Sequence, residues 1–346
     1  MLRDLSRGRL LALVGAGAGL LVVVLVAVVV LTSGSSDDEI VVYTARSHYG
    51  EEEPFRDFAS DRGQDLELFG GSASELYERI RSEGDRTRAD VLITVDAANL
   101  WRAKEDGLLE EVSSNTLERN VPAEFRDPDR QWFGLTLRAR TVMRSTERVE
   151  EDEMATYASL GDPRWEGKLC LRSGTSEYNV SFVADRIAKD GEGKTQAMLR
   201  QWMANDPEIL GSDADVLDAI AEGRCDVGLA NSYYLGREVE EDPDFPVAPV
   251  WVDQEGRGTH VNLSGFGVIR GAQHRDHAVE LLEFLSAPEQ QQVFARSNHE
   301  FGVAPDVPST PEIERFGDFK RDPIDVEGAG AHLEDAVRLM NEVGWD

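Results

Sequence analysis

Residues 225–236 read CDVGLANSYYLG, an apolar run of β-formers that ends on two adjacent tyrosines, Tyr233 and Tyr234. A short apolar run of this kind is a buried strand. On a continuing strand the two phenols would point to opposite faces. In a loop or a first helical turn both face one cleft. The stretch therefore reads as a strand passing into a helix, the place where ligands settle beside parallel sheets.

The same unit recurs along the chain. IVVYTA (40–45), DLELF (65–69) and ADVLITV (89–95) are strand-like, with helical spacing in SELYERIRS (74–82) and NLWRAKEDG (99–107). Ser72, three residues before Glu75, makes a capping box that opens a helix. A second series starts near Arg140: GKLCLRS (167–173) as a strand, YNVSFVADRIAKD (178–190) and ADVLDAIAEG (214–223) as helices, then CDVGLAN. NLSGFGVIR (262–270) returns to a strand, and HAVELLEFLS (277–286) is a helix whose Ala278, Leu281, Leu282 and Leu285 form one apolar stripe. Alternation of this kind makes an α/β fold with parallel strands covered by helices. Two such units suggest two lobes with a ligand cleft between them.

The chain has 346 residues, long enough for two domains. Its 66 acidic against 36 basic residues give a net charge of −30, which excludes nucleic acid as a partner, since phosphate backbones need a basic face. After Arg3, Arg7 and Arg9, residues 10–31 carry no charge, about the ~20 residues that span a bilayer. That length favours an uncleaved anchor over a cleaved signal peptide, and the arginines place the remainder outside the cytoplasm. The following TSGSSDDE (32–39) reads as a flexible linker.

Loops at strand ends hold RSHYG (46–50), TSEYN (175–179) and NSYYLG (231–236), so four of seven tyrosines fall there. Together they offer His48, Tyr49, Tyr178, Tyr233 and Tyr234. Phenolate is an anionic oxygen donor suited to a hard cation, provided the metal displaces a proton from a group with a pKa near ~10. Four phenolates carry four negative charges, which a trivalent ion offsets further than a divalent one. Zinc and copper sites read differently, with closely spaced His and Cys. Arg138 and Arg140 suit neutralising such a ligand set, holding a co-bound anion, or a structural salt bridge. His260, His274, His277, His299 and His332 lack ligand spacing and read as surface or packing residues. No nucleophile elbow or paired-carboxylate motif marks an enzyme.

With LTLRARTVM (135–143), GTSEYNVS (174–181), GLANSYYLGR (228–237), DQEGRGTHVNLSGFGV (253–268) and LMNEVGWD (339–346), the chain resembles the periplasmic ferric-iron-binding proteins of ABC transporters. These form the tyrosine-rich branch of the type II solute-binding fold. The likeness runs from about Ile40 to Asp346. It implies Fe3+ as transported ligand, bound by His48, Tyr49, Tyr178, Tyr233 and Tyr234, with or without a synergistic anion. It also implies an ABC permease as partner, an extracytoplasmic location and a monomer. One departure stands out: members often carry Arg directly before the His-Tyr pair, and here Ser47 intervenes.

The expected organisation is a membrane anchor or signal segment with linker (1–39), a first lobe (40–137, returning at 261–302), a second lobe (138–260) and C-terminal helices packed on it (303–346). A hinge joins the lobes. Rival readings are a binding protein for a small organic or oxyanion ligand, and an extracytoplasmic sensor domain. Cys170 and Cys225 each lie eight residues before a proposed ligand, Tyr178 and Tyr233. On neighbouring parallel strands equal offsets would put them level, about 4.8 Å apart and within disulfide range. Level neighbours project side by side, so a disulfide and two packed thiols both stay open.

Overall fold

A computed structural model describes residues 39–47 and 52–346; the apolar run at 10–31 and the pair His48 and Tyr49 lie outside the described residues. Among the described residues no helix is long and apolar enough to cross a membrane. Ile40–Asp346 form one compact unit. Runs of Val, Ile, Leu and Phe form its strands, because branched and aromatic side chains suit a pleated, buried surface.

In chain order the strands are β1 (Ile40–Thr44), β2 (Leu66–Gly70), β3 (Val91–Thr94), β4 (Phe133–Ser145), β5 (Leu169–Arg172), β6 (Glu208–Leu210), β7 (Val227–Asn231), β8 (Val247–Val250), β9 (Val261–Val268) and β10 (Phe301–Gly302). Their order in the sheet is β2-β1-β3-β9-β4-β7-β5-β6, with β8 and β10 also paired to β4. β1, β2 and β3 are mutually parallel, and β9 runs antiparallel to both β3 and β4. β5, β6 and β7 form a second parallel set, antiparallel to β4.

β4 belongs to both halves of the sheet. Residues from Phe133 to Ala139 pair with β9 and β10; those from Arg140 to Ser145 pair with β7 and β8. The first parallel set runs with β4 and the second runs against it. Their carboxyl ends therefore point at one another across the middle of β4. The sequence reading leaves this 13-residue strand unassigned.

The expected helices appear as Ala73–Glu83, Ala97–Glu105, Glu177–Asp190, Asp213–Ala221 and Arg275–Leu285. The first opens with both hydrogen bonds of the Ser72–Glu75 capping box. One core lies around β1, β3 and β9, with Phe58 and the Leu281, Leu282 and Leu285 stripe. A second gathers Phe182, Trp202, Met340 and Trp345 around β5 and β7, and a third packs Val216 and Ile220 around the cysteines. Ile313 joins the first core and Phe319 packs against it, whereas Ala336 and Leu339 join the second.

Cys170 and Cys225 form a disulfide with Cα atoms 5.8 Å apart. β5 and β7 are parallel neighbours, but the register differs from the expected one. Cys170 sits opposite Gly228, and Cys225 precedes the ladder instead of lying level in it. Outside the ladder Cys225 is free of strand geometry and reaches the sulfur of Cys170. Gly228 permits the close approach, since a Cβ there would lie 2.8 Å from the Cys170 carbonyl oxygen. The bond closes a 55-residue span. Unfolded, unreduced protein is expected to show no titratable thiol, and Cys170→Ala with Cys225→Ala to lose about 2–4 kcal/mol in denaturant melts. Two free thiols would refute the bond.

Candidate metal centre

β5 ends at Arg172 and a short turn leads into the helix Glu177–Asp190; β7 ends at Asn231, the N-cap of the helix Ser232–Glu241. Tyr178, Tyr233 and Tyr234 thus stand in first helical turns, one of the two placements open for the tyrosine pair from sequence and the one that the helix expected from Tyr178 implies. Because β5 and β7 are adjacent and parallel, these turns are neighbours. The Tyr233 hydroxyl donates to the Tyr178 oxygen at 3.2 Å. The rings of Tyr233 and Tyr234 stack with centroids 4.3 Å apart. Tyr178 and Tyr233 are buried and Tyr234 is half-buried.

Three guanidinium groups surround the phenols. Arg138 and Arg172 lie 5.5 and 5.4 Å from the Tyr178 ring centroid. Arg237, one helical turn after Tyr233, lies 5.1 Å from the Tyr233 ring and 5.7 Å from that of Tyr234. Burial pushes the Tyr178 phenol above its ordinary pKa, while Arg138 pulls the other way. Burial, reinforced by Asp96, raises the neighbouring Glu177 carboxyl to about 7. Glu177 also reaches the other half of the sheet, where its Oε2 accepts the Ala73 N–H at 3.2 Å. A carboxylate at that helix N-terminus meets the positive end of the helix dipole.

Arg138 extends the cluster toward the first parallel set. Its Nη1 donates to Ser264 Oγ at 2.9 Å and lies 3.6 Å from the Glu300 carboxylate. Arg46 shares both partners, donating to Ser264 Oγ at 2.8 Å and to Glu300 at 2.8 Å. It also grips Glu52 through two hydrogen bonds of 2.9 and 2.7 Å. Arg46 and Glu52 flank the segment that contains His48 and Tyr49. One buried network thus runs from the base of that segment to Arg138, beside Tyr178.

Arg140 is occupied elsewhere. It pairs with Asp213 at 2.9 Å and donates to the side-chain oxygens of Asn179 and Asn231. Farther along the chain, the Trp345 Nε1–H donates to the Arg172 carbonyl at 2.9 Å, and the Gly174 N–H donates to the Asp346 carbonyl at 3.0 Å. A Cβ on Gly174 would lie 2.1 Å from the Trp345 carbonyl oxygen, so the turn before Tyr178 needs glycine there.

The chemistry on offer is a cluster of phenol oxygens ringed by cations, which suits a hard cation once the hydroxyls lose their protons. Arg172 and Arg237 escaped the sequence reading. Arg237 carries a usable signal, since i and i+4 share a helix face; Arg172, a charged residue closing a strand, carries none. His260, His274, His299 and His332 each approach a carboxylate, in keeping with packing roles.

Residues 87–324 match the family described as bacterial extracellular solute-binding protein. Iron uptake protein A1 of Synechocystis sp. is 42% identical over 314 residues, covering 89% of this chain and 87% of that protein. A Trichodesmium protein (FutA) solved in complex with iron and citrate superposes with a TM-score of 0.80 at 37% identity, covering 89% of this chain and all of that one. The ferric binding protein of Campylobacter jejuni gives a TM-score of 0.83 at 31% identity, with the same coverage. Likeness of this extent, in sequence and in backbone alike, means that the chain belongs to the bacterial extracellular solute-binding protein family.

Proposed function

We propose that the chain is the extracytoplasmic solute-binding component of a ferric-iron ABC transporter, and that Tyr178, Tyr233 and Tyr234 bind Fe3+ together with His48 and Tyr49. The observation that carries this reading is the buried meeting of Tyr178 with Tyr233 at 3.2 Å, beneath three guanidinium groups. Guanidinium charge offsets an anionic ligand set that would otherwise repel itself. The iron-uptake and ferric-binding relatives support the choice of metal.

On this reading residues 40–137 and 261–302 form one lobe and 138–260 the other; of the C-terminal residues expected to pack on the second lobe, Ala336, Leu339, Met340 and Trp345 do so, while Ile313 and Phe319 side with the first. The chain passes between lobes in the middle of β4 and again near His260, which restricts motion to a hinge. The protein works as a monomer, delivers iron to a permease, and is held at the membrane by residues 10–31. Arg172 Nη1 and Ser176 Oγ, buried atoms with no hydrogen-bond partner among the described residues, belong to residues lining a cavity of about 610 Å3. Arg172, 5.4 Å from the Tyr178 ring, brings the charge that suits a small carboxylate accompanying the metal.

Ferric loading is expected to give a broad visible charge-transfer band from phenolate to metal. Tyr178→Phe, Tyr233→Phe and Tyr234→Phe should each weaken both the band and the affinity; a loaded protein that stays colourless would sink the assignment. Binding displaces protons from phenols and requires neutral imidazole, so affinity should fall as pH falls. Burial moves the Tyr178 phenol further above its ordinary pKa, which makes its proton harder for the metal to displace. A titration from neutral to mildly acid pH that shows flat affinity would point to other ligands. For attachment, the chain should stay in the membrane fraction at full mass, whereas a product starting near 33–38 would mean a cleaved signal peptide.

A further inference from the structure

Tyr178 and the Tyr233–Tyr234 pair sit on two separate helices that follow two separate strands, and hydroxyl contact between them demands a fixed spacing. What sets it lies one layer below, at Arg140. This residue lies in β4, is 2% exposed, and stands opposite Asn231 in the ladder with β7. Its Nε donates to Asn179 Oδ1 at 3.0 Å and its Nη2 to the same oxygen at 2.5 Å. Nη1 donates to Asp213 Oδ2 at 2.9 Å and to Asn231 Oδ1 at 3.1 Å, while Nη2 also reaches Asp213 Oδ1 at 3.3 Å. All five N–H groups of the fork are engaged.

The partners are placed to transmit this. Asn179 follows Tyr178 directly, and its Nδ2 donates to the Arg172 and Ser173 carbonyls at 2.9 and 3.0 Å, holding the turn before the helix. Asn231 is the N-cap of the helix carrying Tyr233 and Tyr234, and its side chain makes no cap hydrogen bond; its oxygen goes to Arg140 instead. Asp213 Oδ2 accepts the Asn231 N–H at 3.1 Å, closing the ring. Asp213 also matches the charge of Arg140 inside the protein, so this cation is committed to geometry and is not left to offset phenolates.

We propose that Arg140 is a positioning residue: its guanidinium brackets Asn179 and Asn231 and thereby fixes Tyr178 against Tyr233 and Tyr234. The inference rests on the ferric reading for its consequence, but the bracket itself is a property of the metal-free protein. Lysine offers three donors from one point and cannot span both asparagines and the aspartate. Arg140→Lys keeps the charge and loses the span. Asn231→Ala removes the direct side-chain bond from Arg140 to the second helix while leaving the Arg140–Asp213 pair and its bond to the residue-231 N–H whole, and serves if the lysine variant fails to fold.

The test uses the whole protein labelled with 13Cζ-tyrosine, read by NMR without metal and then by ferric titration. In both variants the Tyr178 and Tyr233 resonances should move while thermal unfolding stays cooperative. Iron affinity should drop roughly 10–100-fold, the cost typical of removing a partner that orients a metal ligand, and the charge-transfer maximum should shift. Unmoved resonances overturn the bracket whatever the metal does, and moved resonances with unchanged affinity and band overturn its importance. A wild-type protein that takes up no ferric iron refutes the ferric reading alone, because the metal-free resonances still judge the bracket.

Discussion

One continuous strand shared by two oppositely directed parallel sets constrains the whole molecule. β4 runs with β1, β2 and β3 and against β5, β6 and β7, so the carboxyl ends of both sets face its midpoint. In parallel sheets those ends are where side chains and helix N-termini gather. Here two such gatherings meet head to head. Had β4 ended at Ala139, the second set would have no fixed direction relative to the first. A strand is well suited to this task, because its ladder fixes register residue by residue.

Fixing the midpoint brings charge inside. Arg46, Arg138 and Arg140 are buried, as are Glu52, Glu300 and Asp213. Burying such groups is costly, and removing one member of a buried pair typically destabilises by about 3–5 kcal/mol. An apolar core of the same volume would be at least as stable. What the ionic arrangement adds is direction, since a guanidinium fork holds its acceptors at defined angles. Arg46 and Glu52 do this at the base of the segment bearing His48 and Tyr49. Arg140 does it between the two tyrosine helices.

Much of this was legible before any coordinates. Apolar runs located β1, β3, β5, β7 and β9, and the tyrosine pair after β7 marked the cluster, because a double phenol at a strand end has few packing uses. β4 was not legible. Its residues 138, 140 and 144 are arginines at even spacing, a pattern that normally means a solvated face. The strand is buried on that side too, and only the acidic and amide partners, drawn from distant segments, make this tolerable. Local pattern cannot reveal partners that lie 73 and 91 residues away, as Asp213 and Asn231 do from Arg140. The cysteine register failed for a related reason: equal sequence offsets translate into level positions only when both residues lie within the ladder.

The docking of Trp345 and Asp346 against the turn at Arg172 and Gly174 bears on the order of synthesis. The hydrogen bond from the Trp345 indole spans 173 residues. Domains fold from the N-terminal side as they emerge, and a contact of such long range closes only after nearly everything between its ends exists. A nascent chain that already contains all the phenols therefore still lacks the support under the turn that aims Tyr178. The turn before Tyr178 is completed only when residues 345 and 346 have been made and have docked against it.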